Sequence, residues 1–141
     1  SLLIFAAIFI FLVKKHFTKK FRPMLESFNC PVTENNTLFN PWDYRVLSFE
    51  YKNRPFSLQF ASRSSFALKF AIKLNSTCNN VLFGESIKDQ TGQTKYIAYN
   101  LLKNTYLCTR RDNKNVSKED LKLLLDDLLS QANEFDSKHK K

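Results

Sequence analysis

The first thirteen residues, Ser1–Val13 (SLLIFAAIFIFLV), hold no charge, no proline and no glycine, and they stop abruptly against KKHFTKKFR. A helix that is apolar on every side has no face to offer water, so such a segment belongs in lipid or inside a large core. The flanks narrow that choice. A secretory signal carries its positive charge before the apolar stretch and a small-residue cleavage site after it. Here five basic residues, Lys14, Lys15, Lys19, Lys20 and Arg22, come after the run, and no acid precedes Glu26. A buried core helix is the rival reading for a run of this length, but the dense basic flank favours a transmembrane helix.

At ~1.5 Å rise per residue the run reaches about 20 Å, short of the roughly 30 Å of a bilayer's hydrocarbon. Residues 1–13 are therefore expected to form part of a transmembrane helix that starts further upstream. The excess of positive charge after the run places the remainder on the cytoplasmic side, or the equivalent matrix or stromal side, with the N-terminus outside. Residues 14–23 then form a basic juxtamembrane segment. Its candidate headgroup contacts are Lys14, Lys15, Lys19, Lys20 and Arg22, at about 1 kcal/mol per charge near an anionic surface. Phe17 and Phe21, at i and i+4, are placed to rest at the interface, and Pro23 is expected to end the helix.

The net charge of +9 suggests nucleic-acid binding until it is apportioned. Setting aside the five basic residues of the flank leaves 17 Lys/Arg against 13 Asp/Glu, so most of the bias belongs to the anchor and no nucleic-acid partner is expected. Cys30, Cys78 and Cys108 are widely spaced and form no C-x-x-C, which reads as reduced, mostly buried thiols. Sequons at Asn35, Asn75 and Asn115 point to the opposite side of a membrane, but in a chain with this much asparagine they carry less weight than the charge asymmetry.

Residues 24–43 read as an irregular connector, interrupted by Pro31 and Pro41. Its Trp42, the only tryptophan, is a possible partner contact, although covering a core edge is the simpler role. From Tyr44 the hydrophobic period becomes two. Leu47, Phe49 and Tyr51, then Phe56, Leu58 and Phe60, alternate with polar residues around a K-N-R-P connection, as in a hairpin. Phe66, Leu68, Phe70, Ile72 and Leu74 oppose Ala67, Lys69, Ala71 and Lys73, the pattern of a half-buried antiparallel strand. Shorter strands are expected over Val81–Phe83, Lys95–Leu102 and Thr105–Arg110, with a helix over 95–103 as the alternative for one of them. Ser117 with Asp120 forms an S-x-x-D capping box, and Leu121, Leu124, Leu125, Leu128, Leu129, Ala132 and Phe135 follow the helical template after it.

The expected fold is α+β: the N-terminal transmembrane helix, then over residues 44–136 a small antiparallel β-meander of five or six strands covered by the C-terminal amphipathic helix, with a basic tail at 137–141.

Chemistry is harder to find. The two histidines, His16 and His139, lie outside the expected domain, so a nucleophile there has no imidazole base. No Cys/His pair has metal-ligand spacing, and Gly84 and Gly92 alone make no phosphate-cradling loop. Glu119, Asp120, Asp126 and Asp127 read as first-turn charges and a solvated helix face. The stretch RSSFALKF sets aromatics beside basic residues as in an RNA-binding strand, but its Phe66 and Phe70 share a face with Leu68, Ile72 and Leu74 and are expected to be buried. No enzymatic activity, metal or cofactor is expected. The leading function is a single-pass membrane-anchored accessory or assembly subunit that docks onto the subunits of a larger membrane protein complex, with anionic lipid headgroups as further contacts. The alternative is a membrane-tethered lipid- or apolar-ligand-binding domain, in which sheet and helix enclose a cavity.

Overall fold

The computed structural model describes residues 2–35, 45–60, 68–75, 85–88, 94–101, 103–111 and 116–138. The protein is α+β, with antiparallel strands and a C-terminal helix, and it divides into two compact units, Ser1–Phe60 and Ala61–Lys141.

The first unit is built on helix α1 (Leu2–Ser27) and three strands, β1 (Val32–Glu34), β2 (Arg45–Tyr51) and β3 (Arg54–Phe60). Helix α1 does not end at Pro23 but continues through it for another turn. A proline inside a helix costs about 3 kcal/mol or more. Here that cost is set against burial of Leu25, the Arg22–Glu26 pair across the proline, and a well-formed C-terminus. The amide of Cys30 bonds the Leu25 carbonyl at 3.2 Å and the amide of Asn29 bonds that of Glu26 at 3.0 Å. Asn29 takes the left-handed φ of 61° that this Schellman closure needs, with the C3 and C″ residues Leu25 and Cys30 both buried. The expected irregular connector of 24–43 is thus helical at its start, and it contains a strand at Val32–Glu34.

Strands β1, β2 and β3 pair in chain order, all antiparallel. Bonds from Glu50 to the Pro31 carbonyl and from Asn35 to the Val46 carbonyl extend the β1–β2 ladder at both ends. The β2–β3 hairpin turns on two residues, Lys52 and Asn53, with φ of 49° and 65°, the signature of the I′ loop that matches strand twist. The alternation expected from Leu47 to Phe60 is present. A bulge between Arg45 and Leu47 explains why Val46 and Leu47, adjacent in sequence, are both buried. Phe49 stacks on its cross-strand partner Phe56 at 5.5 Å, and Tyr51 meets Phe56 edge-on.

The second unit holds β4 (Leu68–Lys73), β5 (Glu85–Lys88), β6 (Thr94–Leu101), β7 (Asn104–Arg111) and helix α2 (Lys118–Lys138). Its strand order is β4-β7-β6-β5 rather than that of a meander. Strands β5, β6 and β7 follow one another, which leaves β4 a choice between the outer edge of β5 and that of β7. Pairing with β7 gives six registered positions, Leu68↔Arg111 to Lys73↔Tyr106, whereas β5 has only four residues. Residues 94–101 are strand and not helix. A turn through Lys103, with φ of 73°, joins β6 to β7. The strand expected over Val81–Phe83 lies outside the described residues.

Helix α2 starts where the capping box places it. The Asp120 amide donates to Ser117 Oγ at 3.2 Å, and the Ser117 amide donates to Asp120 Oδ2 at 3.3 Å. Leu121, Leu124, Leu125, Leu128, Ala132 and Phe135 are buried on one face, which packs on β4 and β7 over Leu68, Phe70, Ile72 and Leu107. The far end is tied down by the Asn75 amide, which donates to the Asp136 carboxylate at 3.1 and 3.3 Å.

Candidate functional site

Helix α1 is two surfaces in one element. In its first half Leu2, Leu3, Ile4, Phe5, Ile8, Phe9 and Leu12 are all exposed, Phe5 by 72% and Leu12 by 56%. In its second half Lys14, Phe17, Thr18, Phe21 and Leu25 are buried. These five fall at i, i+3, i+4, i+7 and i+11, one stripe of a 3.6-residue helix, and that stripe covers β1 and β2. Phe17 meets Phe60 edge-on at 5.9 Å. Thr18 Oγ donates to the Lys14 carbonyl at 2.8 Å.

The residues expected to touch headgroups therefore separate into two sets. Lys14, Phe17 and Phe21 belong to the interior of the first unit, with Lys14 at 0% exposure and its Nζ donating to the Asn35 carbonyl at 3.4 Å. The four-carbon stem adds to the packing, and an ammonium taken out of water depends on acceptors such as that carbonyl. Lys15 and Lys19 are exposed, and Lys20 and Arg22 are half-buried. The Arg22 guanidinium is held by two carboxylates, Glu26 at 2.5 Å and Glu34 at 2.6 Å, which raise its pKa further, the bond to Glu26 contributing most. Its charge is largely answered within the fold. Lys15 and Lys20 each lie over a ring, Phe11 at 5.6 Å and Phe21 at 5.2 Å. Trp42 lies outside the described residues.

The outward stripe of α1 changes character at one point. Phe5, Ile8, Phe9 and Leu12 lie on the exposed side, and the next exposed positions along it are Lys15, His16 and Lys19. No helix among the described residues is long and apolar enough to cross a membrane, because the uncharged run ends at Val13 and three lysines follow within six residues. The expected transmembrane helix is thus represented by an exposed apolar half-helix, continuous with a half that packs in the fold.

The remaining candidate groups are structural. Cys30 and Cys108 are buried free thiols whose pKa burial pushes up; for Cys108 the Lys69 charge and a hydrogen bond from the Ile97 amide partly oppose that rise. Cys78 lies outside the described residues. Asn35 Nδ2, the atom a glycan would occupy, donates to the Arg45 carbonyl at 3.0 Å. Among the described residues no three His, Cys, Asp or Glu side chains gather in a way that could hold a metal ion. Two acids depart from expectation: Asp126 and Asp127 are half-buried and not part of a solvated face, and Asp127 accepts a hydrogen bond from the buried Tyr96 hydroxyl.

No protein-family model matches the chain, and no match is found among the curated proteins.

The stripe at Lys14, Phe17, Thr18, Phe21 and Leu25 is what sequence reasoning missed. Its signal, Phe-x-x-x-Phe-x-x-x-Leu, is present, but Lys19, Lys20 and Arg22 interleave with it and Pro23 argues against helix there.

Proposed function

We propose that this chain is a membrane-anchored, non-enzymatic accessory or assembly subunit, held at the bilayer by the N-terminal half of α1 and docking onto the subunits of a larger membrane complex. The observation that carries the reading is the switch on the outward stripe of α1 from Phe5, Ile8, Phe9 and Leu12 to Lys15, His16 and Lys19. Aqueous proteins rarely expose contiguous apolar surface without a partner for it. An apolar stripe bordered at once by lysines matches the passage from hydrocarbon to headgroup. Under the positive-inside rule the folded units then lie on the cytoplasmic, matrix or stromal side.

Tethering raises the effective concentration of the folded units beside membrane partners, so modest docking surfaces suffice for stable assembly. Gentle detergent extraction followed by native sizing tests this. A stoichiometric assembly much larger than the chain supports the subunit role, whereas a lone 16.5 kDa chain in its micelle sinks it. The anchor itself is tested by replacing Phe5 and Phe9 with glutamate. These exposed residues carry no part of the packed core, so the protein should stay folded and leave the membrane fraction.

A further inference from the structure

We propose that, in the second unit, the sheet face turned away from α2 binds the anionic surface of a lipid bilayer; this rests on the membrane reading above. The register defines the face. Leu68, Phe70 and Ile72 point to α2, so Lys69 and Lys73 point away, and the pairs Lys69↔Arg110, Lys73↔Tyr106 and Tyr99↔Tyr106 bring Arg110 and two tyrosines onto the same side. Lys73 and Arg110 are exposed, and Lys69 is half-buried. Of the acidic residues described in this unit, Glu119, Asp120, Asp126, Asp127, Glu134 and Asp136 are on α2, and Glu85 is on β5. The cations Lys69, Lys73 and Arg110 thus share one sheet face, while the six carboxylates of α2 lie on the helix beside its own Lys118, Lys122 and Lys138.

The apolar groups on that face select among anionic partners. Ile97 is 41% and Leu101 54% exposed along β6. The Tyr99 and Tyr106 rings stack on each other at 5.5 Å and 20°, and Lys69 Nζ lies 5.1 Å from the Tyr99 centroid. Base stacking on a nucleic-acid-binding sheet needs open ring faces. Here each tyrosine turns a face to the other, and a lysine lies over Tyr99. Tyrosine beside lysine and isolated aliphatics is instead the chemistry of the bilayer interface, where the ring body meets acyl chains, the hydroxyl stays wet and ammonium groups meet phosphate. A bilayer surface also requires no pocket.

The test is flotation of the full chain with vesicles of phosphatidylcholine alone and of three parts phosphatidylcholine to one part phosphatidylserine. It compares the wild type with Lys69→Glu/Lys73→Glu/Arg110→Glu and with Lys15→Glu/Lys19→Glu. The expected result is that the face variant loses about tenfold or more of its affinity for the phosphatidylserine vesicles, while flotation with phosphatidylcholine alone is unchanged. The flank variant should retain a preference for phosphatidylserine that disappears in high salt. Should near-ultraviolet circular dichroism show the triple variant unfolded, Lys73→Glu/Arg110→Glu, which changes exposed positions only, replaces it. Unaltered phosphatidylserine affinity in the face variant overturns the proposal. So does binding of a fluorescent decauridine that the face variant abolishes, in the absence of any phosphatidylserine preference. Failure of the wild type to float with phosphatidylcholine alone counts against the anchor and leaves the face to be judged by the phosphatidylserine comparison.

Discussion

The Tyr96 hydroxyl on β6 donates a hydrogen bond to the Asp127 carboxylate on α2, joining two residues 31 positions apart across the interface between helix and sheet. Tyr96 is almost fully buried and Asp127 half-buried, so the bond pairs two polar groups that folding takes largely out of water. Tyr96→Phe keeps the ring and removes the donor. A hydrogen bond to a charged group contributes about 1.5–3 kcal/mol, and urea denaturation should show a loss in that range. An unchanged midpoint would mean that water serves the carboxylate equally well.

The two halves of α1 should respond oppositely to truncation. Phe21 is fully buried, and Phe21→Ala should cost about 3–5 kcal/mol of stability. Leu12→Ala removes an exposed side chain and should shift stability by less than about 0.5 kcal/mol, while lowering membrane association. Paired denaturation and flotation measurements separate these effects.

The β2–β3 turn carries two non-glycine residues at positive φ, Lys52 and Asn53. Glycine occupies that region without a Cβ clash, so Asn53→Gly should raise stability by about 0.5–1 kcal/mol. Asn53→Val should lower it by about 1–2 kcal/mol. Thermal melts of the two variants should therefore bracket the wild type.

Ser117→Ala removes the acceptor that caps the Asp120 amide and should cost about 1 kcal/mol. Ser117→Asp retains an acceptor and should cost less. Amide exchange in the first turn of α2 should accelerate in the alanine variant while the last turn, held by Asp136 at Asn75, stays protected.

Burial raises the thiol pKa of Cys30 and Cys108 in the folded protein. The folded state therefore keeps protons that the unfolded chain releases, and from the ordinary thiol range near about pH 8.5 upward stability should fall as pH rises. Below that range the thiol contribution is fully present. Replacing both cysteines with alanine should flatten this alkaline slope in urea titrations; an unchanged slope would assign it to other groups.

Legibility in the sequence tracked the range of the interactions. The Ser117–Asp120 cap, the leucine stripe of α2 and the alternation along β2, β3 and β4 depend on neighbours a few residues apart, and each stands where the residue pattern places it. The β4–β7 pairing depends on which free edge is longer, a comparison that no local pattern contains. The continuation of α1 past Pro23 was hidden for a different reason. Pro23 is a strong local breaker, outweighed by tertiary burial of Leu25 and by the closure at Asn29. For the candidate site, the apolar run and its charge border were plain, but which of the basic residues face outward was not. Lys14 is packed inside, and Arg22 is engaged by Glu26 and Glu34, because β1 arrives from a segment that reads as irregular.

Because one uninterrupted helix carries both the exposed apolar half and the half packed on β1 and β2, the first unit has no swivel. Whatever grips Leu2–Leu12 also sets the rotational angle at which the first unit is presented, as a keyed shaft sets its wheel. Inserting a single residue between Val13 and Lys14 would turn one half against the other by about 100°, leaving both halves intact but out of phase.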